Sequence, residues 1–355
     1  MATRSLSDVI VVGAGIIGTS IAWRLAKRFK VILCDAQSVG GEASWAGAGM
    51  LVPGSEYSEP CPALTFALHS LSLYPGFVAE LEEESGLAID FSQCGSLELA
   101  GSEEELEQLA GRRKAQLLDR REVRERVPGI SDAVAGALFD PIEGQVDPRT
   151  VVAALAAAGR LRGLEIREQT AITALRWGGG AVVARTAAGG EIVALRAVIA
   201  AGAWSSGLDA GVALPRCYPV RGHLLGYRLE PGSLAHVLRF HHTYVVQRQT
   251  GYTIAGTSEE CVGFNRATDR ETVAAIAGRA HLLAPGLLPP VAADAWTGFR
   301  PGSDSSLPYL GRVEDSPVWL AYGHYRNGIL LAPATAERLA AEITSSLEKA
   351  QGGPA

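Results

Sequence analysis

The sequence predicts an α/β protein in which a parallel sheet with flanking helices is interrupted by a second, α+β layer built on an antiparallel sheet. Three observations lead there. A β-branched run, Val9-Ile10-Val11-Val12, passes directly into Gly13-Ala14-Gly15-Ile16-Ile17-Gly18 and an amphipathic stretch. Two further buried runs, Ala197-Val198-Ile199-Ala200-Ala201 and Val318-Trp319-Leu320-Ala321-Tyr322, also end in glycine-bearing turns much further down the chain. Between them lie short strands rich in β-branched and aromatic residues. The 355 residues suit two domains, and a chain of this length buries about three quarters of its unfolded surface.

Hydrophobic residues make up 47% and charged residues 20%, which excludes a disordered chain. No apolar run approaches the roughly 18 residues of a membrane span. Lysine and arginine total 32 against 38 acids, a net charge of -6, so nothing is left to neutralise a phosphate backbone and no nucleic acid partner is expected. The arginines and acids of Asp119 to Arg126 read as a solvated, salt-bridged helix face. Cys34, Cys61, Cys94, Cys217 and Cys261 are odd in number and contain no C-x-x-C, so neither a disulfide framework nor a zinc site is expected. His241 and His242, placed on a strand, would point to opposite faces, and no metal site is expected there either. The first apolar run is short and leads into glycines rather than a cleavage site, so a cytoplasmic protein is expected.

The first fifty residues carry the strongest pattern. After the strand and G-x-G-x-x-G, Ile17, Ile21 and Leu25 recur at near-helical spacing. A second strand, Val31-Ile32-Leu33-Cys34, ends in Asp35, twenty residues after Gly15. Gly13 permits the tight turn, Gly15 lets the backbone approach a pyrophosphate, and Gly18 allows helix and strand to pack closely. The helix N-terminus offers unpaired N–H groups to the anion. Asp35 accepts hydrogen bonds from ribose hydroxyls. This unit alone does not separate NAD from FAD. Gly40 to Met50 follows as a loop of small residues that lets backbone lie against a large flat ligand, although a flexible surface loop has the same composition.

Further along, Ser102-Glu103-Glu104-Glu105 reads as a capping box opening a helix with Leu106 and Leu109 inward. Asp147-Pro148 opens another helix, with the acid at the cap and proline in the first turn. Ala171 to Trp177, Ala181 to Thr186 and Glu191 to Leu195 read as a small β-meander joined by glycines. Ala197 to Gly202 reads as a separate strand of the nucleotide sheet. Tyr218 to Val246 and Tyr252 to Gly256 read as antiparallel strands roofing a substrate cavity. Val318 to Tyr322, then Gly323-His324-Tyr325-Arg326-Asn327-Gly328, then Ile329-Leu330-Leu331-Ala332 repeat the strand, turn and helix arrangement, with Pro333 in the first turns, where a missing N–H is tolerated.

Gly47-Ala48-Gly49-Met50-Leu51, Gly298-Phe299-Arg300-Pro301-Gly302, Leu307-Pro308-Tyr309-Leu310-Gly311 and Gly323 to Thr335 resemble the FAD-dependent glycine oxidases of the D-amino-acid oxidase superfamily, which supply dehydroglycine for thiamine biosynthesis. The resemblance covers both termini strongly and Pro53 to Gln145 weakly. It implies a discontinuous Rossmann-like FAD-binding domain of glutathione-reductase type, made of 1–52, 146–215 and 297–355. The substrate-binding domain is then 53–145 and 216–296.

It further implies that FAD is held, without a covalent bond, by Gly13, Gly15, Ile16, Ile17, Gly18, Asp35, Ala36, Ala43, Ser44, Ala48, Gly49, Met50, Ile172, Ala201, Gly202 and Trp204. The C-terminal turn adds Gly323, His324, Tyr325, Arg326, Asn327, Gly328, Ile329 and Leu330. Arg300 would grip the substrate carboxylate, Tyr244 would face the substrate with its hydroxyl, and the Arg326 carbonyl would accept a hydrogen bond from the amine. The implied reaction is hydride transfer from an amino acid to FAD, reoxidation by O2, and release of oxoacid, ammonia and peroxide. A homo-oligomer is implied, a tetramer in relatives. An FAD-dependent D-amino-acid dehydrogenase feeding a quinone or carrier protein is the alternative, and a structural FAD protein a third. Glu259 and Glu260 depart from an apolar residue that some glycine oxidases carry nearby. No cysteine follows Cys261 to tether the flavin, unlike in sarcosine-oxidase relatives.

Overall fold

Largely apolar runs become the interior strands of the first sheet. In the computed structural model, which describes residues 6–57, 60–111 and 115–351, β1 (Ser7–Val12) is followed by α1 (Ile16–Ala26) and β2 (Val31–Cys34). β1 and β2 pair in parallel, Val9 opposite Val31 and Val12 opposite Cys34. The turn between strand and helix closes tightly because Gly18 carries no side chain: a Cβ there would lie 1.9 Å from the Gly13 carbonyl oxygen. The stretch read as an open loop after β2 contains a short helical turn, Ala43–Ala46, and a short strand, Met50–Leu51.

On the other side of β1, one strand, Glu191–Ile199, replaces the two expected from the pattern. Its first half pairs antiparallel with Ala181–Thr186 and its second half runs parallel to both β1 and Val318–Tyr322. The meander is therefore an extension of the nucleotide sheet. The interruption that suggested a break is Arg196, whose guanidinium leaves the strand to reach the Ser346 hydroxyl and carbonyl at 2.9 and 3.0 Å.

One face of this sheet is covered by α1 and the helices Pro62–Ser85, Pro148–Leu161 and Gly328–Gln351, which share one apolar core. Pro62–Ser85 falls in the stretch expected to belong to the substrate layer. Its Ala67, Leu71, Tyr74, Phe77 and Leu81 are buried against the nucleotide side instead. Asp147 caps Pro148–Leu161 by accepting the Arg149 N–H, as expected.

The second sheet has eight strands in the order Asp294–Ser303, Cys217–Arg228, Tyr252–Gly256, Thr243–Gln247, Val237–Phe240, Ser96–Ala100, Gly136–Asp140, Gln116–Asp119. All neighbours are antiparallel except Val237–Phe240 against Ser96–Ala100, the parallel join between the two separated stretches of sequence. Asp294–Ser303 pairs along its length with Cys217–Arg228, so residues 297–303 lie in the second sheet rather than in the nucleotide layer expected for them. His241 and His242 form the turn between two strands, not strand positions. Ser102 caps its helix through the Glu105 N–H, but Glu105 reaches back to the Gly101 N–H. The reciprocal box is at Asp119 and Glu122, in the arginine-rich stretch.

Pro333 lies beyond the first turn of Gly328–Gln351, so its missing N–H strips the Ile329 carbonyl of its helical partner. The buried Tyr74 hydroxyl donates to that carbonyl at 2.5 Å, and Ser70 donates to the Leu330 carbonyl at 2.6 Å. Tyr74→Phe should therefore cost about 1–3 kcal/mol, the penalty for an orphaned buried acceptor, read from the chemical unfolding midpoint of the FAD-loaded protein. An unchanged midpoint would show that the carbonyl finds another donor.

Candidate active site between the two sheets

A single cavity of about 810 Å³ runs from the end of β2 to the face of the second sheet. Of the residues expected to hold the cofactor, Gly13, Gly15, Ile16, Ile17, Asp35, Ala36, Ala43, Ser44, Ala48, Gly49, Met50, Ile172, Ala201, Gly202 and Trp204 line it. From the C-terminal turn, His324, Tyr325, Arg326, Asn327, Gly328 and Ile329 line it too, and Tyr244 and Arg300 close its far end. Gly18, Gly323 and Leu330 do not. Gly18 serves the helix–strand approach, Gly323 holds a left-handed turn at φ +81°, and Leu330 is buried in the helical core.

At the β2 end, Asp35 is fixed by its own chain. Its Oδ2 accepts the Ala14 N–H at 2.6 Å and its Oδ1 the Gln37 N–H at 2.7 Å. The first N–H of α1, that of Ile16, is not free as expected: Ser44 Oγ accepts it at 2.9 Å. The backbone from Gly47 to Gly49 is held from behind by Arg248, a buried residue the sequence reading missed. Its guanidinium donates to the carbonyls of Ala48 at 2.6 Å and Val146 at 3.2 Å, and to Gln145 Oε1 at 3.0 Å. Burial pulls Arg248 below the ordinary arginine range, with Asp147 opposing that at 4.0 Å. In the sequence it stands between two glutamines at a strand end, where an arginine resembles a surface charge. Gly49 at φ +74° allows the loop to lie so close that a Cβ would meet the Val146 oxygen at 1.8 Å.

At the other end, Arg300 projects from Asp294–Ser303 into the cavity. Its Nη1 donates to the Ser258 carbonyl at 3.0 Å and its Nη2 to Thr257 Oγ1 at 2.7 Å. Space for the guanidinium comes from Gly222 on the paired strand, where a Cβ would lie 2.2 Å from Nη1. Among the described residues no carboxylate forms an ion pair with Arg300. Burial pushes the Tyr244 phenol above its usual value despite the opposing charge of Arg300 and its bond with Thr257, so the hydroxyl stays protonated. The Arg326 guanidinium pairs with Glu259 at 2.5 Å.

The segment Thr257 to Glu260 that holds Arg300 is itself anchored. Glu260 pairs with the buried Arg221 at 2.7 Å and lies 3.2 Å from His223 Nδ1. His223 Nε2 accepts the Asp269 N–H at 3.0 Å, so the neutral ring carries its proton on Nδ1, facing Ser258 Oγ at 2.9 Å. Burial pulls His223 below the usual histidine value. Neither Glu260 nor His223 was singled out for this role in the sequence, because the strands that bring them together are some forty residues apart.

A dinucleotide cradle joined to a chamber that bears, among the described residues, a guanidinium without a carboxylate ion pair suits a dinucleotide-dependent oxidoreductase. Residues 8–342 match the family described as DAO, FAD dependent oxidoreductase. The chain is 34% identical over 354 residues to the glycine oxidase of Bacillus licheniformis, covering 98% of this chain and 96% of that protein. It is 35% identical over 341 residues to the bifunctional protein ThiO/ThiG of Synechocystis, covering 94% of this chain and 51% of that one. The crystal structure of glycine oxidase from Geobacillus kaustophilus superposes with a TM-score of 0.90 at 32% identity, covering 96% of this chain and 95% of that one. The chain belongs to the DAO family of FAD-dependent oxidoreductases. The residues present fit the cofactor: Asp35 is oriented at one end of a single cavity, and small residues and backbone form the walls between it and Arg300.

His324 lines this cavity almost fully buried, with Nε2 3.1 Å from Thr335 Oγ1, and burial pulls it from 6.5 to about 3. The unfolded chain therefore binds a proton that the folded one refuses. The stability His324 confers by staying neutral is complete above pH 6.5 and is lost as the pH falls towards 3. Urea midpoints of wild type and His324→Asn, measured at several pH values in that window, should diverge in slope. The wild type should lose up to about 1.4 kcal/mol more per pH unit. Parallel slopes would place the proton elsewhere.

Proposed function

We propose that the chain oxidises glycine, or another small amino acid with a single carboxylate, to the oxoacid, ammonia and hydrogen peroxide. The observation that carries this reading is Arg300: a cavity-facing guanidinium held in place by neutral oxygens, with its charge left for an anion from solution. A planar fork of donors suits a carboxylate in a bidentate pair, which fixes both position and orientation of the adjacent carbon. The Tyr244 hydroxyl, kept protonated by burial, donates to the same anion. The Arg326 carbonyl accepts from the amine, and the walls of the chamber exclude enough water to favour the uncharged amine that the reaction requires. When bound, FAD supplies the two-electron acceptor for the substrate Cα–H bond and passes the electrons to O2. No side chain of the chain is needed as a base, and the contribution of these residues is mainly positioning.

The oxidase reading is preferred to the dehydrogenase one because relatives similar to this chain over most of their own length carry the oxidase name. Service to thiamine biosynthesis belongs to the same proposal, supported by the likeness to the bifunctional ThiO/ThiG proteins. So do a homo-oligomeric state, testable by light scattering, and a cytoplasmic location. For the latter, all five cysteines are unpaired and no helix among the described residues is long and apolar enough to cross a membrane.

Anaerobic addition of glycine, sarcosine and a series of D-amino acids should bleach the flavin with glycine or a close analogue, and admission of O2 should return the colour with stoichiometric peroxide. Bleaching by none of them would end this reading, and bleaching without oxygen uptake would favour the dehydrogenase. Arg300→Leu should lower kcat/KM by at least about a hundredfold while the flavin stays bound, as expected when one partner of a buried charge pair is removed. Acid precipitation should release all the flavin into the supernatant.

A further inference from the structure

The substrate end of the cavity holds more charge than one carboxylate needs. Three guanidiniums, Arg239, Arg300 and Arg326, and two carboxylates, Glu56 and Glu259, line it. Four of these five alternate in a chain. Arg239 Nη1 meets Glu56 Oε1 at 2.9 Å, Glu56 Oε2 lies 4.0 Å from Arg326 Nη1, and Arg326 Nη2 meets Glu259 Oε2 at 2.5 Å. Tyr325 also donates its hydroxyl to Glu259. Arg300 stands outside the chain, so the set carries one uncompensated positive charge. His241 and His242 also line the cavity, and His241 turns towards Glu105 at 3.5 Å.

We propose that Glu259 is a specificity-determining residue that confines the site to substrates with one carboxylate, by occupying the Arg326 guanidinium that would otherwise take a second. This rests on the functional reading above. Glu56 cannot fill the role: it lies deeper, with 14% of its side chain exposed, and its close partner is Arg239. Glu260 is spent on Arg221 and His223 behind the chamber. Glu259 has 37% of its side chain exposed and makes the close pair with Arg326. Burial alone would push its carboxyl up, but the hydrogen bonds from Arg326 and Tyr325 and the charges of Arg326 and, more weakly, Arg300 outweigh that and hold it below the usual range. At neutral pH Glu259 is therefore an anion at the wall of the chamber. A substrate with a second carboxylate meets like charge there and finds, among the described residues lining the chamber, no guanidinium beyond Arg300 without a carboxylate ion pair. Without Glu259, the carboxylate left to Arg326 among the described residues is Glu56, at 4.0 Å and shared with Arg239, and Arg326 becomes a second carboxylate receptor.

The test is calorimetric titration of the FAD-loaded protein with glycolate, which has one carboxylate, and with malonate and succinate, which have two. Wild type should bind glycolate and discriminate against both dicarboxylates. Glu259→Gln and Glu259→Ala should each raise the affinity for at least one dicarboxylate relative to glycolate by about tenfold or more, equivalent to about 1.4 kcal/mol. The double variant Glu259→Gln with Arg326→Gln should lose that gain. The flavin absorption spectrum and the melting temperature of each variant confirm an intact fold. An unchanged ratio in both single variants, with glycolate still bound, would overturn the inference and leave the functional reading standing. A gain that survives loss of Arg326 would overturn it equally. If wild type neither binds glycolate nor is bleached by glycine, the functional reading itself fails.

Discussion

The cationic clamp at Arg300 is the constraint on which the rest of the site depends. A guanidinium drawn into a cavity away from bulk water is costly unless an anion meets it. Here the protein offers it a threonine hydroxyl and a backbone carbonyl, which orient the charge without cancelling it. Such an arrangement is stable enough to be held ready and unsatisfied enough to bind. Its neighbours serve one of those two ends: Gly222 gives it room, Glu260 and His223 brace the segment that aims it, and Glu259 occupies the neighbouring Arg326, which would otherwise take a second carboxylate.

The fold brings this clamp to the cofactor by a division of labour. The first sheet offers the C-terminal ends of parallel strands, where glycine turns admit a dinucleotide to the backbone. The second sheet, joined by long antiparallel pairing, carries Arg239, Tyr244 and Arg300 of the chamber. The two are tied by residues that cross between them. Arg248, at a strand end of the second sheet, holds the carbonyls of Ala48 and Val146, and Trp296 donates to the Ala46 carbonyl at 3.1 Å. Cofactor cradle and substrate clamp are thereby fixed relative to one another, which is what hydride transfer over a short gap demands.

Much of the nucleotide side was legible in the sequence because its signals are local. Gly13 to Gly18 and Asp35 sit within one βαβ unit, and their spacing follows from strand and helix geometry alone. The three lapses on that side are also local and physical. Arg196 broke an apolar run without breaking its strand, because its side chain had a partner on the last helix. Pro333 lies deeper in its helix than the first turn, tolerated through Tyr74, more than two hundred residues away. Ser44 takes the N–H that the pattern left for the ligand. The substrate side was legible only through family resemblance, which singled out Arg300, Tyr244 and Arg326. The braces of Arg300 escaped because Gly222, His223, Ser258 and Glu260 meet across strands, and no periodicity in one segment encodes that meeting. The strand bearing Arg300 was assigned to the wrong layer for the same reason: partner choice in a sheet is a long-range property.

Whether the site recognises charge rather than shape can be measured directly. Equilibrium titration of the FAD-loaded protein with glycolate and with its neutral isostere glycolamide isolates that term, since the two differ in little but the carboxylate. If the site reads charge, glycolate binds and perturbs the bound flavin while glycolamide does not at the same concentrations. Equal affinity for the two would contradict it, because the guanidinium of Arg300 would then not be the group that holds the substrate.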